Sequence, residues 1–177
     1  DIEINEKDPE KFIQTVKAIA PTFGGINLED IKDPEAFEIE NRLKAELDIP
    51  LMHDDQHGTA IISCAALTNA LELSNKNIEK VRIVISGAGA AAISCTRLYQ
   101  AFGAKKENIV MLDSKGVIRN TRPNLRSHKA EFATDRKIET LAEAMQEADV
   151  FIGLSQPNIL DERMLLSMAK NPIVFAM

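Results

Sequence analysis

A chain of 177 residues, 45% hydrophobic and 27% charged, is long enough to bury a substantial core and falls in the range of one large domain or two small ones. Its formal charge of −6 opposes a phosphate backbone, and its densest basic run, Arg119 to Arg126, holds three arginines, so a nucleic-acid partner is not expected. No apolar run reaches the length of a bilayer span, and the acidic start DIEINEKDPEKF is unlike a signal or transit peptide, so a membrane partner is not expected either.

Asp8 and Pro9 suit the N-cap and first position of a helix carrying Phe12, Val16, Ile19 and Ala20 at helical spacing, which Pro21 ends. Phe23 to Leu28 reads as a short strand leading into Glu29 and Asp30. Pro34 opens a helix through Ala36 to Leu47, and Pro50 to Met52 reads as a second short buried strand. Gly58 to Leu73 is apolar on nearly every face, the pattern of a helix enclosed between layers. The polar LSNKNIEK at 73–80 marks the best boundary, dividing a first segment, 1–73, from a second, 74–177.

From Lys80 the pattern becomes strand (VRIVIS), glycine turn, helix to Phe102, a Gly103 C-cap, and strand (NIVMLD), a βαβ unit. Residues 114–136 are polar and irregular. A helix at 140–147, the strand DVFIGLS, a helix at 161–169 and the strand IVFAM follow. Strands alternating with helices specify an α/β fold with a parallel, doubly wound sheet. With no initiator methionine and a last strand that ends without its loop, a fragment of a longer protein is expected. Cys64 and Cys95 lie in apolar helical stretches without metal-ligand spacing, which reads as two free buried thiols in a reducing compartment, the cytoplasm.

Gly87, Gly89 and Ala92 fill a G-x-G-x-x-A pattern between a Val/Ile-rich strand and a helix. In such a turn the first glycine bends the chain, the second admits a pyrophosphate, and the third small residue lets helix and strand pack closely. The phosphates lie at the helix N-terminus, where free amides and the dipole favour anions. Asp113 ends the next strand about twenty residues on, placed to accept hydrogen bonds from an adenosine ribose. These features specify a Rossmann-type dinucleotide-binding domain. Asp113 argues for NAD, whereas Ser114 and Lys115 suit the 2′-phosphate of NADP, so the preference stays open. Ser155 and Gln156 follow the third strand, where the nicotinamide half would pass; ordinary loop polarity explains them equally well.

Glu29 and Asp30 follow one short strand, and Asp54 and Asp55 follow another. Carboxylates converging at one edge of a parallel sheet need a cation among them, and all-oxygen ligands suit Mg²⁺ or Mn²⁺. The alternative is that they are solvated loop acids, with Asp54 or Asp55 capping a helix that starts near Gly58. His53 and His57 lack the H-E-x-x-H order of a zinc site.

The runs APTFGGINLEDI, EAFEIE, IPLMHDDQHGTA, VRIVISGAGAAA, LDSKGVI, ADVFIGLS and NPIVFAM together resemble the bacterial-type malic enzymes over nearly the whole chain. The resemblance implies a divalent metal held by Glu29, Asp30 and Asp55, and Asp54 as the partner that orients a catalytic lysine. It implies NAD or NADP on the turn formed by Gly87, Ala88, Gly89, Ala90 and Ala91, and Ala92 departs from the family's usual glycine. The implied reaction oxidises L-malate, releases CO₂ and leaves pyruvate, in a homodimer. The family's general-acid Tyr and general-base Lys lie upstream of this segment, so the isolated chain is expected to be inactive; Tyr99, inside a helix, reads as packing. A non-catalytic dinucleotide-binding module, and a malolactic or oxaloacetate-decarboxylating relative, are the alternatives.

Overall fold

Asp8 caps the first helix, α1 (Pro9–Ile19), by accepting the amides of Glu10 at 2.9 Å and Lys11 at 3.3 Å, with Pro9 in the first turn. The computed structural model describes residues 1–177 except Asp33 and Arg126, so Arg126 of the basic run lies outside the described residues, as does the side chain of Ser127. A 3-10 turn over Ala20–Thr22 ends α1 at Pro21. Strand β1 covers Ile26–Leu28 and not the whole of 23–28, because Gly24 and Gly25 bring no side chains to pack. Helix α2 (Glu35–Glu46) and strand β2 (Leu51–His53) follow. The strands β1 and β2 pair in parallel with Leu28 opposite His53, over a core of Ile13, Val16, Leu28, Ile39, Leu43 and Leu51.

Helix α3 (Asp54–Leu73) springs directly from β2, a full turn earlier than the expected start near Gly58. Two acids in the first turn favour the positive end of the helix dipole. Gly58 is accommodated one turn in because the Asp54 carboxylate lies where its side chain would be. The expectation that α3 is enclosed on all sides is also corrected. Ala60, Cys64, Leu67 and Leu71 are buried with residues of the next helix, α4 (Ala90–Ala101), whereas Ile61, Ile62 and Leu73 are 61%, 67% and 89% exposed. An all-round apolar pattern shows that a helix has several faces suited to burial, not which of them finds a neighbour.

The second sheet contains β3 (Ile83–Ser86), β4 (Ile109–Asp113), β5 (Gly116–Val117), β6 (Val150–Gly153) and β7 (Ile173–Ala176), in the order β5-β4-β3-β6-β7. All neighbours are parallel except β5, an antiparallel edge strand inside the stretch expected to be irregular. Strands β3 and β6 are buried along their whole length, as parallel strands covered on both faces must be. A single turn of helix, α5 (Ser127–Ala130), lies in the same polar stretch.

Helix α6 (Leu141–Met145) is closed by a Thr140–Glu143 capping box and α7 (Glu162–Leu166) by Asp161, and both are shorter than their periodicity suggests. Glu147, at φ 56°, ends the apolar repeat behind α6 in a left-handed turn. Tyr99 is fully buried and its hydroxyl donates to Ser63 Oγ at 2.9 Å, tying α4 to α3. From β3 the sheet extends to β4 on one side and to β6 on the other, so its switch point lies between β3 and β6, at the carboxyl ends of the strands.

Candidate active site

The glycine turn sits at that switch point. Gly87 has φ +129°, and a side chain there would meet the Leu154 carbonyl oxygen at 2.5 Å, so both conformation and space demand glycine. Its amide donates to Leu112 O at 2.9 Å, which locks the turn to β4. Gly89 is the N-cap of α4 and makes no side-chain cap, and a Cβ built on it meets nothing within 4 Å. The first helical hydrogen bond runs from Ile93 N to Gly89 O at 3.0 Å, leaving the amides of Ala90 and Ala91 ahead of it. Ala88 is buried, and Ala92, at 1% exposure, packs into the helix–strand core as the third small residue should. The cradle is therefore open where phosphates would approach and closed beneath. Ser155 is exposed at the end of β6 with its Oγ 3.0 Å from Ser86 Oγ, and Gln156 beside it is exposed.

Asp113 ends β4 as expected, but its carboxylate is already engaged. Oδ1 accepts Arg122 Nη1 at 2.7 Å and the Lys115 amide at 3.0 Å, and Oδ2 accepts Lys129 Nζ at 3.1 Å. Burial alone would raise its pKa; Arg122, the Lys115 amide and Lys129 outweigh burial and hold the carboxyl below the usual range. Arg122 is fixed in turn by donating Nη2 to Gly116 O at 2.9 Å and Val117 O at 2.8 Å. One carboxylate between two cations leaves a local excess of positive charge. Ser114 and the Lys115 side chain stand exposed beside it.

The β1–β2 register carries Glu29 and Asp30 to the same edge as Asp54 and Asp55. Asp30 adopts φ 53°, a left-handed conformation that a non-glycine residue takes at a cost of about 1–2 kcal/mol. Glu29 accepts Asn27 Nδ2 at 2.9 Å, and the Asp55 side chain is 52% exposed. Helix α3 takes its N-cap from His53 with no side-chain bond, so neither Asp54 nor Asp55 serves as its cap. Elsewhere, the buried Glu40 and the partly buried Asp149 are matched: Asp149 pairs with Lys76 at 2.5 Å, and Glu40 with Lys44 at 2.8 Å. Among the described residues the four edge acids pair with no Lys or Arg, and no three His, Cys, Asp or Glu side chains close around a common point. The donor chemistry, all oxygen and uncompensated, fits a hard divalent cation.

Residues 56–177 match the family model for the malic enzyme NAD-binding domain, and residues 3–44 that for the malic enzyme N-terminal domain. The chain belongs to the malic enzyme family. It is 53% identical to an NADP-dependent malic enzyme of Halomonas elongata, across 99% of this chain and 42% of that protein. It is 54% identical to an NADP-dependent malic enzyme of Salmonella typhimurium, across 100% of this chain and 24% of that protein. A crystal structure of an NAD-dependent malic enzyme from Thermotoga maritima superposes with a TM-score of 0.92 at 39% identity, across 99% of this chain and 48% of that one. The chain thus spans less than half the length of these relatives.

Within this malic enzyme segment, sequence reasoning missed Arg122, Lys129 and Glu40, and weighed His53 only as a zinc ligand. Arg122 and Lys129 lie 9 and 16 residues beyond Asp113, in the stretch that shows no periodicity, and their only signal is that both are basic. Glu40 sits on the apolar face of α2 at 4% exposure, where a lone acid breaks the hydrophobic pattern; its position was a signal left unread. Burial would raise its pKa, but Lys44 and His57 outweigh burial and hold the carboxyl low. Burial pushes the pKa of Tyr99, Cys64 and Cys95 up, so none of these is poised for chemistry, in keeping with Tyr99 as packing.

Because the folded-state pKa of Asp113 lies below its unfolded value of about 3.9, its network stabilises the fold above that value and is lost as pH falls through the folded pKa. Asp113→Asn in the full-length enzyme should lower the melting temperature at pH 7, and its difference from wild type should shrink as pH drops from about 5 towards 3. A melting difference unchanged across that range would contradict the network.

Proposed function

We propose that the protein of which this chain is part catalyses the oxidative decarboxylation of L-malate, giving pyruvate, CO₂ and reduced nicotinamide cofactor. The hydrogen on the hydroxyl carbon leaves as hydride, the hydroxyl proton leaves separately, and loss of CO₂ is followed by protonation of the enolate carbon. A bound divalent ion, Mg²⁺ or Mn²⁺, supplies Lewis-acid polarisation of the substrate oxygens, and NAD(P) supplies the hydride acceptor. The single observation that supports the reading is that acids without cationic partners stand at the start of α3, the helix whose buried face packs on α4, and the N-terminus of α4 is the open glycine turn.

Each residue then has a defined task. Glu29, Asp30 and Asp55 would hold the ion, contributing negative charge and oxygen atoms at the edge. Asp54, lying over Gly58, would orient a lysine supplied from outside these 177 residues. Gly87 and Gly89, with the amides of Ala90 and Ala91, would receive the pyrophosphate. The proton-moving acid and base are not among the residues of this chain, where the only tyrosine is buried and committed to Ser63. Two free thiols of raised pKa fit a reducing, cytoplasmic setting.

For the cofactor we infer a preference for NADP. With Asp113 neutralised by Arg122 and Lys129, and with Lys115 beside them, the end of β4 opposes a 2′-phosphate far less than a free aspartate would. Lys129→Ala or Lys115→Ala should each weaken NADP by about ten- to a hundredfold, as loss of a charge-assisted bond does, and NAD much less. Comparing KM for the two cofactors in the full-length variants decides it; equal losses would remove these lysines from the 2′-phosphate site.

The metal reading is tested by Asp55→Asn. Asn loses only the favourable interaction of a first-turn charge with the helix dipole, so a merely local role predicts a loss of about 0.3–1 kcal/mol and near-normal turnover. Loss of a charged ligand instead predicts at least a hundredfold fall in rate and a raised Mn²⁺ midpoint, with dinucleotide binding intact. A normal rate with an unshifted midpoint would remove Asp55 from the metal.

A further inference from the structure

His53 is the least explained polar side chain of the acidic edge. It is fully buried, at 0% exposure, yet among the described residues neither Nδ1 nor Nε2 has a hydrogen-bond partner. Leaving a buried polar group unsatisfied is costly, whereas an apolar side chain of similar size would fill the space without that cost. A buried imidazole in this condition calls for a role that offsets the penalty.

A carboxylate stands close to its ring. Asp55 Oδ2 lies 3.9 Å from His53 Nε2, about 1 Å beyond hydrogen-bonding distance. Of the two groups, His53 is the fixed one. Its backbone amide donates to Glu40 Oε1 at 3.1 Å, and Glu40 is held by Lys44 at 2.8 Å with His57 Nε2 at 2.7 Å. Asp55, with its side chain half exposed on the first turn of α3, has room to rotate.

We propose that His53 is a positioning residue for Asp55. It donates Nε2–H to one carboxylate oxygen and so aims the other at the divalent cation. This inference rests on the reading of Asp55 as a metal ligand given above. A carboxylate anchored through one oxygen presents the other in a single orientation, so less rotamer freedom is lost when the ion arrives. The role requires the tautomer protonated at Nε2. The contacts of Glu40 with the His53 backbone and of the His53 ring with Asp55 then join α2 to the acidic edge, although α2 contributes no ligand itself.

The test uses the full-length enzyme with Mn²⁺ alone, free ion being read by electron paramagnetic resonance in the absence of malate and nucleotide. His53→Leu keeps the volume and removes the donor; His53→Gln retains an N–H near the Nε2 position. The Leu variant should bind Mn²⁺ about ten- to a hundredfold more weakly, and the Gln variant should stay within about threefold of wild type. Binding of reduced dinucleotide, followed by its own fluorescence, should be unchanged in both, which a general loss of structure would not allow. A folded Leu variant with wild-type Mn²⁺ affinity would overturn the proposal. If the Leu variant does not fold, the Gln variant decides: tenfold weaker binding overturns the proposal and near-wild-type binding supports it. Failure of the underlying reading shows separately, as Asp55→Asn binding Mn²⁺ like wild type.

Discussion

The parallel pairing of β1 with β2, Leu28 opposite His53, and the passage of β2 into α3 without a loop decide where every carboxylate of the acidic edge sits. With that register Glu29 and Asp30 continue from β1 as Asp54 and Asp55 continue from β2. A slip of one residue would turn each buried side chain of β2 to the opposite face and break the pairing of the two acid pairs. Helix α3 then carries the edge to the dinucleotide cradle, because its buried face packs on α4, whose N-terminus is the cradle. One continuous path of backbone and packing thus joins the acids to the glycine turn, and Tyr99, bonded to Ser63, pins its two helices together.

Charge is handled differently in the interior and at this edge. Glu40, Asp113 and Asp149 are each met by cations or backbone amides, so their charges are satisfied within the fold. Glu29, Asp30, Asp54 and Asp55 are not met in this way among the described residues. The first group holds structure together; the second has negative charge left for a ligand. Asp113 crosses between the two, since the cations that stabilise it also set the field at the end of β4, where the proposed cofactor's ribose would lie.

Much of this was legible in the sequence, for reasons particular to each element. Val/Ile runs bounded by glycine mark β3, β4 and β6 because strands covered on both faces carry no alternation. Asp8–Pro9 and Thr140–Glu143 write their helix starts in cap chemistry. The start of α3 was misplaced because Gly58 mimics a helix boundary while its true role is to leave room for Asp54, a tertiary reason that no local pattern shows. The exposed side of α3 was missed because hydropathy does not count neighbours. Arg122 and Lys129 were unreadable as partners of Asp113, since the irregular segment that brings them back has no period from which to infer geometry.

The proposed cation site is built from three carboxylates that follow two parallel strands, Glu29 and Asp30 after β1 and Asp55 after β2. Anomalous diffraction at the manganese edge, from crystals of the full-length protein grown with Mn²⁺, tests it directly. One strong peak bonded to oxygens of Glu29, Asp30 and Asp55 at about 2.0–2.6 Å is expected. A peak elsewhere, or one bonded to His53 in place of Asp55, would contradict it.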